Sequence, residues 1–123
     1  MSSPPKDRTG SCLCGLIRYK LTGPSSTPLY NTCCHCLNCR RWVGAAVYNA
    51  SICSKEGVQI TQGEDKLKSF KDTKTDSGKP LSRVFCGECG SHLFAFTPLR
   101  EDIASIGAGT LDDFEEWRPD VEQ

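Results

Sequence analysis

Three observations predict a mostly β domain of many short antiparallel strands. Short runs of alternating, β-branched or aromatic residues recur along the chain. Glycine, proline, serine or aspartate punctuates them, and no segment sustains a helical period. The 123 residues suit one domain.

Residues 1–8 are polar and contain Pro4 and Pro5, which reads as a flexible leader. No later linker is long enough to divide the remainder, so residues 9–123 are read as one domain. In the run 16–21, Ile17, Tyr19 and Leu21 alternate with Arg18 and Lys20. The run 29–33 is aromatic and β-branched at Tyr30 and Thr32, and 45–49 carries Val47 and Tyr48. Val58 and Ile60 alternate with Gln59 and Thr61 in 58–61, Leu67 and Phe70 stand among lysines in 67–71, and Val84 and Phe85 fill 83–86. Leu93, Phe94 and Phe96 mark 92–96, and Ile103 and Ile106 bound 103–106. The stretches 36–42 and 111–117 read as short turns of helix.

Only 37% of residues are hydrophobic, and the nine cysteines far exceed what packing needs, so metal or disulfide is expected to reinforce a modest core. The N-terminus has no apolar h-region and no later run is long enough to span a bilayer, which predicts a cytoplasmic or nuclear protein that does not engage a membrane. Thiols stay reduced in those compartments, and an odd number of cysteines cannot all pair within one chain. Clustered cysteines therefore read as metal ligands or redox thiols. Lysine plus arginine balances aspartate plus glutamate at 15 each, and no basic tail or aromatic-basic interleaving points to nucleic acid.

The cysteines sort by local spacing. Tetrahedral zinc, with Zn–S of about 2.3 Å, needs sulfurs about 3.8 Å apart, so ligands come in local pairs. Cys-x-Cys on an extended segment points both thiols to one face, and Cys-x-x-Cys brings them together across a tight turn, where a following glycine suits positive φ. Cys12-Leu13-Cys14-Gly15 and Cys86-Gly87-Glu88-Cys89-Gly90 each supply half a tetrahedron, which predicts a closed structural site joining segments more than seventy residues apart. In Cys33-Cys34-His35-Cys36-Leu37-Asn38-Cys39-Arg40-Arg41, Cys34, Cys36 and Cys39 supply three ligands and leave an open position, as catalytic zinc sites do. In the competing reading Cys33, His35 or Cys53 closes this second site. Alternation turns Cys33 and His35 away when Cys34 and Cys36 face the metal, and Cys53 fits a buried structural thiol equally well.

These motifs resemble the glutathione-dependent formaldehyde-activating enzyme family, which includes the conserved domain of centromere protein V. The likeness rests on Gly10-Ser11-Cys12-Leu13-Cys14-Gly15 with Ile17-Arg18-Tyr19, on Cys34-His35-Cys36-Leu37-Asn38-Cys39-Arg40-Arg41 with Gly44-Ala45, on Phe85-Cys86-Gly87-Glu88-Cys89-Gly90-Ser91 with Leu93, and on Gly109-Thr110-Leu111-Asp112. The resemblance implies a β-tent fold of short antiparallel sheets stapled by zinc. It also implies two zinc ions per chain, with Cys12, Cys14, Cys86 and Cys89 on the structural zinc and Cys34, Cys36 and Cys39 on the catalytic zinc. The implied activity joins glutathione and formaldehyde into S-hydroxymethylglutathione, a carbon-sulfur lyase reaction run in reverse. Family members usually continue into a further strand and a closing tryptophan segment. This sequence ends soon after Trp117-Arg118-Pro119, so pocket walls from that region are missing, supplied by the partner in a homodimer, or not needed.

An open position on a three-thiolate zinc would bind a substrate thiol as thiolate for addition to a carbonyl, and the net charge near minus one favours thiolate exchange over water activation. The expected partners are thus a small thiol and an aldehyde, or their adduct. His35 and His92 are candidate proton carriers, with a scaffold role as the simpler reading. Arg40 and Arg41 are candidates to receive a substrate carboxylate, with a solvated surface as the simpler reading. Trp42, Tyr48, Phe94 and Phe96 read first as packing residues. The alternatives are a non-enzymatic zinc-stabilised protein-binding module and a thiol redox enzyme using Cys33 or Cys53.

Overall fold

The computed structural model describes residues 6–123. The described strands are β1 Arg8–Ser11, β2 Arg18–Leu21, β3 Tyr30–Cys34, β4 Tyr48–Ser54, β5 Val58–Gln62, β6 Leu67–Asp72, β7 Leu81–Cys86, β8 His92–Thr97, β9 Arg100–Gly107 and β10 Val121–Glu122. One α-helix, α1 Leu37–Val43, lies between β3 and β4. β1, β2 and β5 form a three-stranded sheet, and a seven-stranded sheet runs β10-β3-β4-β9-β8-β7-β6. Neighbours are antiparallel, as expected, except β10, which lies parallel to β3.

Side-chain alternation gives the large sheet two different faces. Val84, Phe94, Ala104, Ile106 and Cys53 turn inward and pack with Ile17, Tyr19 and Leu21 in the main core, which Trp117 also joins. The intervening residues Thr32, Cys34, Tyr48, Ala50, Ser105, Ala95 and Arg83 line a cavity on the opposite side. A smaller cluster there joins Cys39 of α1 to Tyr48 and Ala50.

Three local expectations are revised. The strand expected at 45–49 begins only at Tyr48 and runs to Ser54. Gly44, at φ 67°, caps α1 in the left-handed region, and residues 45–47 are used in reversing the chain. Serines hid the far half of that strand. Ser51 is fully buried because its hydroxyl donates to Asn31 Oδ1 at 2.7 Å and accepts from Trp117 Nε1 at 3.0 Å. The helical turn expected at 111–117 is a 3-10 turn over Phe114–Glu116, because Leu111 bridges to Gly10 and the Asp112 N–H bonds to the Thr9 carbonyl at 2.9 Å. Of the leader expected over 1–8, residues 1–5 lie outside the described residues. Arg8 already belongs to β1 and forms an ion pair with Asp113 at 2.9 Å.

β1 carries no apolar alternation that would announce it, and Gly10 explains why. A Cβ at that position would overlap the Tyr19 ring, which is 1% exposed and tied through its hydroxyl to Thr110 at 2.7 Å. We expect Gly10→Ala to cost about 1–3 kcal/mol through overpacking, read as a lower urea midpoint at unchanged slope. An unchanged midpoint would mean that the ring can move aside.

Candidate metal centres

The first centre is assembled by two turns. Cys12 follows β1, and the Gly15 N–H bonds to the Cys12 carbonyl at 3.2 Å, so Cys12 and Cys14 meet across a turn and not, as the spacing predicted, on an extended segment. At the other end the Gly90 N–H bonds to the Cys86 carbonyl at 2.8 Å. Gly15 and Gly90, each directly after a cysteine, have φ of 81° and 80°, where a side chain would be strained. The Sγ atoms of Cys12, Cys14, Cys86 and Cys89 all lie within 4.8 Å of one another. Cys12 to Cys14 is 3.5 Å and Cys14 to Cys86 is 3.8 Å.

Backbone donors aim at these sulfurs. The Ile17 N–H reaches Cys12 Sγ at 3.3 Å, and those of Glu88 and Cys89 reach Cys86 Sγ at 3.4 Å each. Ser91 ties the two turns together: its hydroxyl accepts from the Leu13 N–H at 2.9 Å and lies 3.2 Å from Cys89 Sγ. That hydroxyl, against opposing burial, helps lower the Cys89 thiol to about 5. An all-sulfur donor set with tetrahedral-edge spacings and N–H donors on the sulfurs suits a soft divalent ion such as zinc.

The second centre lies where β3 meets α1. Cys34 ends β3, Cys36 is the N-cap of α1 with its Sγ accepting from the Cys39 N–H at 3.4 Å, and Cys39 is a turn further on. Their three sulfurs lie within 4.8 Å of one another, and Cys34 and Cys36 are 3.4 Å apart. Burial first, then the neighbouring Cys34 and Cys36 sulfurs, push the Cys39 thiol up to about 12. A divalent cation would remove that mutual obstacle to ionisation. These residues can therefore hold a metal ion from three sides.

The remaining cysteines stand apart from both groups. Cys33 points to the opposite face of β3 and packs against the main core, and Cys53 is fully buried within it. Burial raises both thiols. His35 is exposed, 3.6 Å from Glu122. His92 packs edge-on against Trp42 at 4.7 Å and lines a separate cavity with Asn49 and Thr110. Burial and then the Arg83 charge hold its imidazole below the usual value. Arg41 borders a groove of about 390 Å³ with Trp42, Phe70, Lys74 and Arg83. Phe94 is a core residue, while Trp42 and Tyr48 pack edge to face at 5.2 Å beside the second centre.

Arg83 and Asp72 are the residues that spacing did not flag. Arg83 is 4% exposed and donates through Nε and Nη2 to Asp72 Oδ2 at 3.1 and 3.0 Å, while its Nη1 lies 3.9 Å from Cys39 Sγ. Asn38 Nδ2 donates to the same carboxylate at 3.1 Å, and Trp42 covers the guanidinium at 5.0 Å. A buried cation beside the three cysteines would offset the negative charge their thiolates carry around a metal ion, and Asp72 holds that cation in position.

The family model described as glutathione-dependent formaldehyde-activating enzyme matches residues 7–123. A Halomonas elongata protein provisionally named as such an enzyme is 25% identical over 84% of this chain and 64% of its own length. A Pyrenophora teres protein with the same provisional name is 30% identical over 68% of this chain and 40% of its own length. The chain thus spans less than two thirds of these curated relatives. A crystal structure of a Rhodobacter sphaeroides protein superposes with a TM-score of 0.69 over 94% of this chain and 99% of that one, at 15% identity, which shows a shared fold. Because the family model covers residues 7–123, nearly the whole chain, the chain belongs to the glutathione-dependent formaldehyde-activating enzyme family.

Proposed function

We propose that the protein is a zinc-dependent enzyme that forms or cleaves the bond between a thiol sulfur and an aldehyde carbon. Cys34, Cys36 and Cys39 hold the catalytic zinc, and Cys12, Cys14, Cys86 and Cys89 hold a structural one within a single domain. The observation that carries this reading is the difference between the sulfur sets. Four thiols surround one position, whereas the other has three, and Cys34 and Cys39 border a cavity.

In the forward direction R–SH and R′–CHO give R–S–CH(OH)–R′: a sulfur–carbon bond forms, the carbonyl π bond opens, and the thiol proton ends on the carbonyl oxygen. A bound zinc ion supplies a soft Lewis-acid position for the substrate sulfur as thiolate. Arg83 steadies the negative charge at Cys39, and Asp72 keeps Arg83 from turning away. Arg41 and Lys74, on the groove beside Arg83, suit the carboxylates of a thiol such as glutathione. Glutathione with formaldehyde is the pair that the family name indicates.

Elemental analysis of protein purified without added metal should give two zinc ions per chain. A value near one, unchanged by gentle zinc addition, would remove the catalytic assignment. Hemithioacetal exchange followed by NMR should be faster with wild type than with Cys36→Ser, and zinc-edge absorption should gain a sulfur on adding thiol. Four sulfurs before thiol is added, together with no difference in exchange, would favour a non-enzymatic zinc-stabilised binding module.

A further inference from the structure

The cavity beside Cys34 and Cys39 carries information about the second substrate. It measures about 150 Å³ and its walls are largely apolar, formed by Ala50, Ile52, Leu81, Ala95 and Ile103. An apolar cavity of this size accommodates a molecule about as large as benzene, whereas a two-heavy-atom aldehyde is nearer the roughly 30 Å³ share of one water. Formaldehyde would leave most of the space empty. Glutathione, with its carboxylates and ammonium, cannot be desolvated against such walls. The fitting half of the adduct is therefore the carbon side chain of the aldehyde.

One residue lining this cavity has a buried hydroxyl that lacks a partner. Thr32 is 2% exposed, its Oγ1 is buried, and no described residue bonds to it. The neighbouring polar groups are already engaged, Tyr48 with Ser105 at 3.4 Å and Arg83 with Asp72. A buried hydroxyl left unmet is a strained arrangement unless a ligand atom satisfies it. Thr32 and Cys34 are two residues apart on β3 and line the same cavity, a step of about 7 Å along the strand.

Resting on the thiol-aldehyde reading above, we propose that this site takes aliphatic aldehydes of about four to six carbons in preference to formaldehyde. The alkyl chain lies along Ala50, Ile52 and Ala95, and the carbonyl oxygen accepts a hydrogen bond from Thr32 Oγ1 once rotation about χ1 turns that hydroxyl into the cavity. The reaction balance is unchanged: the thiol proton passes to that oxygen as the sulfur–carbon bond forms. Thr32 orients the oxygen and does not itself lose its proton.

The test fixes glutathione as the thiol and compares formaldehyde, butanal and hexanal with the zinc-loaded wild type, reading adduct exchange by NMR. The kcat/KM for butanal should exceed that for formaldehyde about tenfold or more. The methyl resonances of Ala50, Ile52 and Ala95 should shift on adding butanal with glutathione. Ala50→Leu fills the cavity and should lower the butanal-to-formaldehyde ratio about tenfold. If that variant does not fold, Ala95→Val gives the same comparison with less added volume. Thr32→Val should slow exchange of butanal while the methyl shifts persist. Turnover of formaldehyde with no preference for butanal and unmoved methyls would overturn this inference and leave the proposed function intact. Inactivity toward every aldehyde would sink both.

Discussion

Cys12→Ser and Cys89→Ser are expected to leave the domain unfolded or insoluble, whereas Cys36→Ser should give a folded protein that retains one zinc. On the assignment proposed above, zinc at the first centre ties Cys14 to Cys86 across 72 residues, and a cross-link over a loop of that length removes about 4 kcal/mol of chain entropy from the unfolded state. The same formula gives about 2 kcal/mol for the short loop from Cys34 to Cys39. Structural zinc in small domains contributes about 10–16 kcal/mol at neutral pH, comparable with the whole stability of a domain, so one lost ligand at the first centre is enough to unfold it. Serine is an apt replacement at position 36 because its hydroxyl can still cap α1 in place of the thiol, so ligand loss is separated from helix loss. Soluble yield, melting temperature and metal content decide the matter, and equal losses at the two centres would contradict this division of roles.

Asp72→Ala should destabilise the fold by about 3–5 kcal/mol, because it strands the Arg83 guanidinium in the interior without its carboxylate. The paired replacement Asp72→Asn with Arg83→Met should be markedly less harmful, since it removes the buried charge as well as its partner. The contact from Arg83 to Cys39 adds a second readout. Arg83→Met should weaken zinc binding at the three-cysteine centre roughly ten- to hundredfold while the four-cysteine centre keeps its metal.

The same pair gives a pH dependence of known sign. Burial raises the Asp72 pKa, but the Arg83 hydrogen bond and the Lys74 N–H outweigh it, and the carboxyl is held below its ordinary 3.8. A depressed carboxyl contributes stability that is fully present above 3.8 and is lost as pH falls through its lower folded value. Acid titration of the wild type should therefore show a loss below that pH which Asp72→Asn lacks. Superposable acid limbs for the two proteins would assign the buried pair no part in acid stability.

The short range of cysteine geometry is why the ligand pairs were legible in advance. Two thiols two or three residues apart can meet only in a few backbone conformations, and a glycine directly after Cys14 and Cys89 marks the turns. Strands with regular alternation, such as β2 at Tyr19 and Leu21 and β5 at Val58 and Ile60, were equally readable. β1 and the far half of β4 were not, because Gly10 owes its place to a tyrosine ring on the paired strand and Ser51 to a tryptophan N–H 66 residues away. A polar or side-chain-free residue in a strand is intelligible only once its partner is known.

Local spacing alone thus specified the cysteine pairs and the predominance of short strands, since each depends on neighbours within a few residues. The juxtaposition of Arg83, Asp72 and Cys39 was beyond its reach. Asp72 and Arg83 meet across the β6–β7 pairing, while Cys39 arrives from a helix 44 residues away. The cavity behind the second centre was hidden for the same reason, because its walls come from β3, β4, β7, β8 and β9. Sheet order brings those strands side by side, and alternation turns one residue in two toward the three-cysteine group. Which residues face each other across a sheet depends on long-range register, a property of the folded chain that no short stretch of sequence encodes.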